Sequence, residues 1–106
     1  MGYLRHEMTG AGAIAETIET TGPWLLEEVR LHLQGASAAE NFTISIDAAR
    51  GYQWDSVLAV TAMNALTDAT YLPTRPRYGL DGDRIVITYP NANTVEYGLV
   101  VIWRSA

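Results

Sequence analysis

Two histidines and a scatter of carboxylates are the side chains of this chain with the greatest potential for chemistry. Neither His6 nor His32 has a carboxylate or hydroxyl at a spacing that predicts a catalytic triad. The absence of Cys excludes thiol nucleophiles, thiolate metal sites and disulfides. A lone histidine on a strand is most often a tolerated polar residue rather than a metal ligand. We therefore expect neither histidine to be catalytic.

Two turns carry oxygen-bearing side chains that would suit Ca²⁺ if they met at one end of the fold. Asp81 and Asp83 flank a glycine, and Asn91 and Asn93 follow a proline. Ca²⁺ needs several such oxygens, but Asp and Asn are also the residues that favour tight turns. We favour the turn interpretation, because a Ca²⁺ loop presents more acidic ligands in sequence, and we predict no metal and no cofactor.

The carboxylates give little support to an enzymatic function. Glu27 and Glu28 are adjacent, and neighbours on a strand point to opposite faces, so we do not expect them to share a proton. General acid-base catalysis would need a cleft that joins distant carboxylates, such as Asp47 and Asp83. We predict that the protein is not an enzyme.

Aromatic side chains suggest a second kind of site, since apolar sugar faces stack on aromatic rings. Tyr52 and Trp54 follow a glycine turn and are predicted to be loop residues available to a ligand. Trp24, Tyr97 and Trp103 are instead expected to hold the core together. Packing is the more common role of such residues, so carbohydrate binding is kept as an alternative.

These residues belong to a chain with the composition of one folded domain. The 106 residues are 48% hydrophobic and 18% charged, which suits a single core and excludes a disordered chain. Alternating apolar and polar residues predict strands. The predicted strands cover residues 29–33, 42–47, 57–60, 69–72, 85–89 and 97–104. The sequence therefore predicts an all-β fold, an antiparallel β-sandwich that is jelly-roll-like.

Residues 1–22 differ in composition from the rest, since Gly, Ala, Thr and Glu predominate there. We expect them to form an extended N-terminal arm, and residues 23–106 to form the sandwich domain. Pro23 marks the boundary because it fixes its own φ and favours extended geometry in the residue before it. Ile14 and Ile18 are the apolar residues with which the arm would reach a neighbouring subunit.

Two further parts of the chain are predicted to contact other subunits. The last strand is apolar on both faces, so Val100 and Ile102 are expected to lie under cover or to meet a partner. Arg75 and Arg77, in a proline-rich loop at residues 73–78, are candidate ion-pair contacts.

The charge balance restricts the partners that we expect. Twelve acidic and seven basic residues give a net charge of −5, and the sequence shows no basic patch for a nucleic-acid backbone. No apolar run approaches the about 20 residues of a membrane helix, and the N-terminus lacks the apolar core of a signal peptide. We expect neither nucleic acid nor a membrane as a partner.

Three stretches of the sequence share a layout with known proteins. They are TGPWLLEEVRLHL (21–33), LDGDRIVITYPN (80–91) and TVEYGLVVIWR (94–104). The layout is a Gly-Pro-Trp entry to an amphipathic strand, a Gly-Asp turn feeding a strand that ends at Pro-Asn, and a final Tyr-Gly-Leu strand. In this the chain resembles small all-β virion proteins encoded among the structural genes of tailed bacteriophages.

The resemblance implies a capsid decoration or cement protein, or a head accessory protein, which binds major capsid or connector subunits. It implies a place in the virion after assembly in the host cytoplasm. A homo-oligomer is expected, and cyclic symmetry such as that of a trimer suits a piece that binds a lattice. The alternative is a carbohydrate-binding module of a tail or fibre that uses Tyr52 and Trp54.

Overall fold

The computed structural model describes residues 3–75 and 77–106; Met1, Gly2 and Pro76 lie outside the described residues. The described residues form strands joined by turns and loops, with one 3₁₀ helix at Tyr52–Trp54. The strands are β1 (Tyr3–Gly10), β2 (Ile14–Glu19), β3 (Trp24–Leu33), β4 (Asn41–Asp47), β5 (Ser56–Ala62), β6 (Asp68–Tyr71), β7 (Arg77–Gly79), β8 (Arg84–Tyr89) and β9 (Tyr97–Ser105). No helix among these residues is long and apolar enough to cross a membrane.

The strands form two antiparallel sheets that pack face to face. Sheet A has the order β1-β9-β3-β6, and the short strand β7 also pairs with β3. Sheet B has the order β2-β8-β4-β5. Because neighbouring strands in both sheets run antiparallel, the prediction of an all-β antiparallel sandwich is confirmed.

The core lies between the sheets and follows the period of two in the sequence. Each central strand turns its alternate apolar side chains inward, and burial of each one stabilises the fold by about 1.5–3 kcal/mol. The inward residues include Val29, Leu31 and Leu33 of β3, Phe42, Ile44 and Ile46 of β4, Ile85 and Ile87 of β8, and Leu99 and Val101 of β9. The large aromatic residues Trp24, Tyr97 and Trp103 belong to the same cluster, as predicted.

The first residues of the chain take a different form from the arm that we expected. Strand β1 pairs with β9 at one edge of sheet A, and β2 pairs with β8 at one edge of sheet B. Ile14 and Ile18 are only 2% and 5% exposed and belong to the core. Residues four apart on a strand face the same side, and here that side is inward. This corrects the interface role that we expected of these two residues, and it places Pro23 in a turn within the sandwich.

Strand β7 closes the core above Trp24. Gly79 lies opposite Trp24 in the register, where the indole ring occupies the space that a side chain would need. A Cβ atom on Gly79 would lie 1.8 Å from Cε2 of the ring. The indole Nε1–H donates a hydrogen bond to the carbonyl oxygen of Asp83 at 3.2 Å. Trp24 is therefore held from two sides, by the backbone of β7 and by the turn before β8.

Candidate functional site

The outward side of sheet A, which we call face A, combines apolar and charged residues. Because β9 turns its alternate residues inward, the intervening ones point away from the core. Half-buried Val100 and Ile102 lie at the middle of this side of β9. The cross-strand neighbours of these two are charged on both sides; Arg5 and Glu28 flank Ile102, while Glu7 and Arg30 flank Val100.

The charges on face A are mostly paired with one another. Three ion pairs join Arg5 to Glu7 at 3.0 Å, Arg30 to Glu28 at 2.7 Å, and Arg104 to Glu27 at 3.2 Å. These pairs are partly exposed, so each stabilises the fold by no more than about 1 kcal/mol. Their effect is local neutrality around two apolar side chains, on a chain whose net charge is −5.

A β-bulge changes the orientation that we expected for Glu27 and Glu28. The register between β3 and β9 shifts between Leu26 and Glu28, so the extra residue interrupts strict alternation. Both glutamates therefore contribute to face A, and both line an open depression of about 440 Å³ beside Ile102. The expectation that they point to opposite faces is wrong. Each forms an ion pair with a different arginine, Glu28 with Arg30 and Glu27 with Arg104.

Face A ends in a polar region around His32. The ring Nδ1 of His32 lies 2.7 Å from a carboxylate oxygen of Asp68, its cross-strand neighbour on β6. This hydrogen bond, together with one from the Thr67 hydroxyl, holds the pKa of Asp68 below its ordinary value. His32 also lines an open depression of about 600 Å³ next to Gly10 and Glu96. The histidine thus has a carboxylate partner that the sequence did not indicate.

The predicted loop aromatics lie on sheet B's side of the molecule. Tyr52 and Trp54 are 80% and 58% exposed on the 3₁₀ helix that precedes β5. The guanidinium of Arg50 stacks on the Trp54 ring, 4.6 Å from its centroid, which is cation–π geometry. The prediction that both aromatics are exposed loop residues is confirmed, and they lie apart from Val100 and Ile102.

The two predicted contact arginines are exposed, close to β7. Arg75 lies in the loop before the strand, and Arg77 is its first residue, so the predicted loop at 73–78 ends earlier than expected. Arg77 Nε donates a hydrogen bond to the Tyr71 hydroxyl at 3.2 Å. That contact ties β7 to β6 and holds one guanidinium at the edge of sheet A.

The two turns considered for Ca²⁺ lie at opposite ends of strand β8. Asp83 precedes this six-residue strand and Asn91 follows it, so the turns are about 20 Å apart. The buried Asp83 carboxylate accepts hydrogen bonds from the backbone N–H groups of Ala49 and Leu80, both at 3.0 Å. The Asn91 amide donates to the carbonyl oxygen of Gly12 at 3.0 Å. These side chains brace turns, and the described residues contain no cluster of three His, Asp or Glu suited to a metal.

The sequence pattern missed the charged members of face A. Arg5 and Glu7 lie within residues 1–22, for which the composition predicts an arm, although Leu4, His6 and Met8 alternate with them. That alternation is a signal for a strand, but it is weak because the polar residue His6 occupies an inward position. There its Nε2 lies 2.6 Å from a carboxylate oxygen of Glu16. No protein-family model matches the chain, and no curated protein matches its sequence.

Proposed function

We propose that this protein is a virion structural protein without enzymatic activity, a capsid decoration or cement protein or a head accessory protein. In this proposal it binds other virion subunits through face A. The observation that carries the binding role is the position of Val100 and Ile102, two apolar side chains on an outward sheet surface amid paired charges. The virion setting is supported by the resemblance of residues 21–33, 80–91 and 94–104 to phage virion proteins.

We further propose that the sandwich is a jelly roll. The first four strands alternate between the sheets, and each sheet inserts a late strand between two early ones, β9 between β1 and β3 and β8 between β2 and β4. Two interleaved Greek keys of this kind define jelly rolls, which are common among viral capsid domains. The strand order therefore supports the same assignment as the sequence resemblance.

The composition of face A suits a protein–protein contact. Stable interfaces have an apolar centre, which contributes most of the binding energy, and a polar rim. Val100 and Ile102 would form such a centre, and the surrounding ion pairs would form the rim. Arg75 and Arg77, at the far edge of the same sheet, are suited to carboxylates of a major capsid or connector subunit. Such a partner places the protein in the virion, after assembly in the host cytoplasm.

The test compares two matched substitutions on opposite faces. Ile102→Thr replaces an apolar side chain on face A with a polar one, while Val86→Thr makes the same kind of apolar-to-polar replacement on the outward side of β8, another central strand. Binding is measured by co-sedimentation with capsids assembled from the major capsid protein of the same genome, and with its connector. We expect wild type and Val86→Thr to bind equally and Ile102→Thr at least tenfold more weakly. If the wild type bound neither the capsids nor the connector, the proposal would be rejected.

A second candidate function, carbohydrate binding, is favoured by the exposed pair Tyr52 and Trp54. Arg50 covers one face of the Trp54 ring, so the other face is available for stacking on a sugar. A glycan array tests this with wild type, Trp54→Ala and the control Tyr78→Ala, which removes an exposed aromatic on β7. Glycan binding that is lost only in Trp54→Ala would support this function in place of capsid binding.

A further inference from the structure

Strand β1 is an open edge of sheet A whose hydrogen-bonding direction can be derived from the register. Gln34 N–H donates a hydrogen bond to the Glu96 carbonyl oxygen at 2.9 Å, so these two residues form a hydrogen-bonded pair between β3 and β9. In an antiparallel ladder every second pair is hydrogen-bonded. Even-numbered residues of β9 therefore bond to β3, and its odd-numbered residues bond to β1. Through the register of β1 with β9, the even-numbered residues of β1 bond inward to β9.

The odd-numbered residues of β1 consequently direct their backbone N–H and C=O groups away from the sheet. These residues are Tyr3, Arg5, Glu7 and Thr9. The strand is eight residues long, pairs with β9 without a register shift and contains no Pro or Lys. Natural edge strands are usually protected from pairing by Pro, Lys or bulges, or by being short. Strand β1 has none of these protections, and although charged side chains can also protect an edge, its Arg5 and Glu7 have opposite charges that pair with each other.

Other edges of the sandwich are better protected. On the far side of sheet A the edge strands β6 and β7 have four and three residues. In sheet B, β5 carries a register shift against β4, and β2 carries Glu16 and Glu19 with no basic residue on the same strand to balance them. Among the described strands, β1 is the edge best suited to accept another strand.

We propose that β1 pairs antiparallel with β1 of a second copy of this chain, which joins the two A sheets across a two-fold axis beside His6. In this register Arg5 lies opposite Glu7 of the partner subunit, and Glu7 lies opposite Arg5 of the partner subunit. Leu4 and Met8 of the two copies also oppose each other. The outward backbone groups of the odd-numbered residues then form the hydrogen-bonded pairs, as an antiparallel ladder requires.

Charge selects this register over its neighbours. Since the outward backbone groups belong to odd-numbered residues, the pairing can slip only in steps that keep odd residues opposite odd ones. A slip by one such step in one direction places Arg5 opposite Arg5 of the partner subunit. A slip in the other direction places Glu7 opposite Glu7 of the partner subunit. Directly opposed like charges destabilise a strand pair, whereas opposite charges stabilise it. A strand with Arg and Glu two apart is self-complementary in one antiparallel register.

The histidines next to the axis are compatible with the pairing. Each His6 ring faces inward, where its Nε2 lies 2.6 Å from a carboxylate oxygen of Glu16 of its own chain, so the ring already has a polar partner within the same subunit. On the outward side, the existing Arg5–Glu7 pair, 3.0 Å apart, would extend into a cluster of four alternating charges.

This self-association does not require the virion role. A dimer that binds no capsid would retain this inference and reject the proposed function.

A charge-swap experiment tests the pairing by sedimentation equilibrium. The variants are Arg5→Glu, Glu7→Arg and the double variant that carries both changes. We expect wild type and the double variant to dimerise, and each single variant to dimerise at least tenfold more weakly, because like charges then face each other. An equimolar mixture of the two single variants should recover the dimer. In that mixed pair, positions 5 and 7 are both acidic in one chain and both basic in the other, so every facing pair has opposite charges.

Two controls separate association from folding and from side-chain effects. Thermal unfolding of each single variant, measured in dilute solution where the wild type is monomeric, shows whether the fold is retained. Thr9→Pro removes an outward N–H and leaves both charges in place, so it should also weaken the dimer. A wild type that stays monomeric at millimolar concentration would overturn the inference. So would single variants that dimerise as strongly as wild type, or a mixture that fails to recover the dimer.

Discussion

Gly79→Ala is expected to be among the most damaging single-methyl additions in this protein. The new Cβ would lie 1.8, 2.0 and 2.3 Å from three atoms of the Trp24 indole. Carbon atoms in contact are normally about 3.5 Å apart, so the ring or strand β7 must move by about 1.7 Å. Trp24 is fully buried, and the closely packed core leaves no space for that movement.

Two contributions lower the free energy of unfolding of Gly79→Ala. Overpacking of a filled core costs about 1–3 kcal/mol. Displacement of the indole also breaks the hydrogen bond from Nε1–H to the Asp83 carbonyl, 3.2 Å long in the native structure, and this adds about 1 kcal/mol. We therefore expect the free energy of unfolding to fall by about 3 kcal/mol, which lowers the Tm of a domain of this size by about 15 °C.

The control is Gly98→Ala, in the same sheet. A Cβ on Gly98 meets no atom within 4 Å, and the substitution reduces the entropy of the unfolded chain, so it should stabilise by about 0.5 kcal/mol. Chemical denaturation of both variants, followed by tryptophan fluorescence, measures the difference. If the free energy of unfolding of Gly79→Ala were within about 0.5 kcal/mol of the wild-type value, the packing of β7 on Trp24 would be refuted.

Three further outcomes are expected. Ile14→Ala should lower the free energy of unfolding by about 2–5 kcal/mol in denaturant titrations, whereas a mobile arm would give no change. Asp83→Asn should cost about 2 kcal/mol in the same assay, because an amide replaces one of two acceptor oxygens with a donor. By NMR titration, His32→Ala should raise the pKa of Asp68 towards 3.8. The pKa of Asp68 is lower in the folded protein than in the unfolded chain. The His32–Asp68 pair therefore stabilises the wild type at pH values above the unfolded pKa, and this stabilisation is lost as the pH falls through the folded pKa.

The predicted strands with the clearest alternation are those with a buried face. The segments around β3, β4, β8 and β9 place apolar residues on alternate positions because one side faces the core, and burial imposes that period directly. The first two strands lie at sheet edges, where polar residues such as His6 and Glu16 occupy inward positions. Their alternation is correspondingly weak, and tertiary pairing decided their form.

The composition of face A also depended on features that lie outside local sequence patterns. Alternation on β9 predicted that Val100 and Ile102 lie on the opposite face from Tyr97 and Trp103, either under cover or against a partner; in the structure they are half-buried on the outward side. The side-by-side position of Glu27 and Glu28 depends on a bulge, for which the residue types gave no signal. The cross-strand partners of Val100 depend on strand order, which becomes visible only when the sheet is assembled.

Strand order also determines when this protein can fold during its synthesis. The ribosome makes β8 and β9 after the other described strands, yet these two strands connect β2 to β4 and β1 to β3. Until they emerge, β1 and β2 lack the strands that they pair with, and β3 and β4 can pair only with edge strands. The nascent polypeptide therefore gains little stability from an early collapse. Folding is therefore expected to wait until β9 has emerged, and to be slow, because strands far apart in the sequence must find each other.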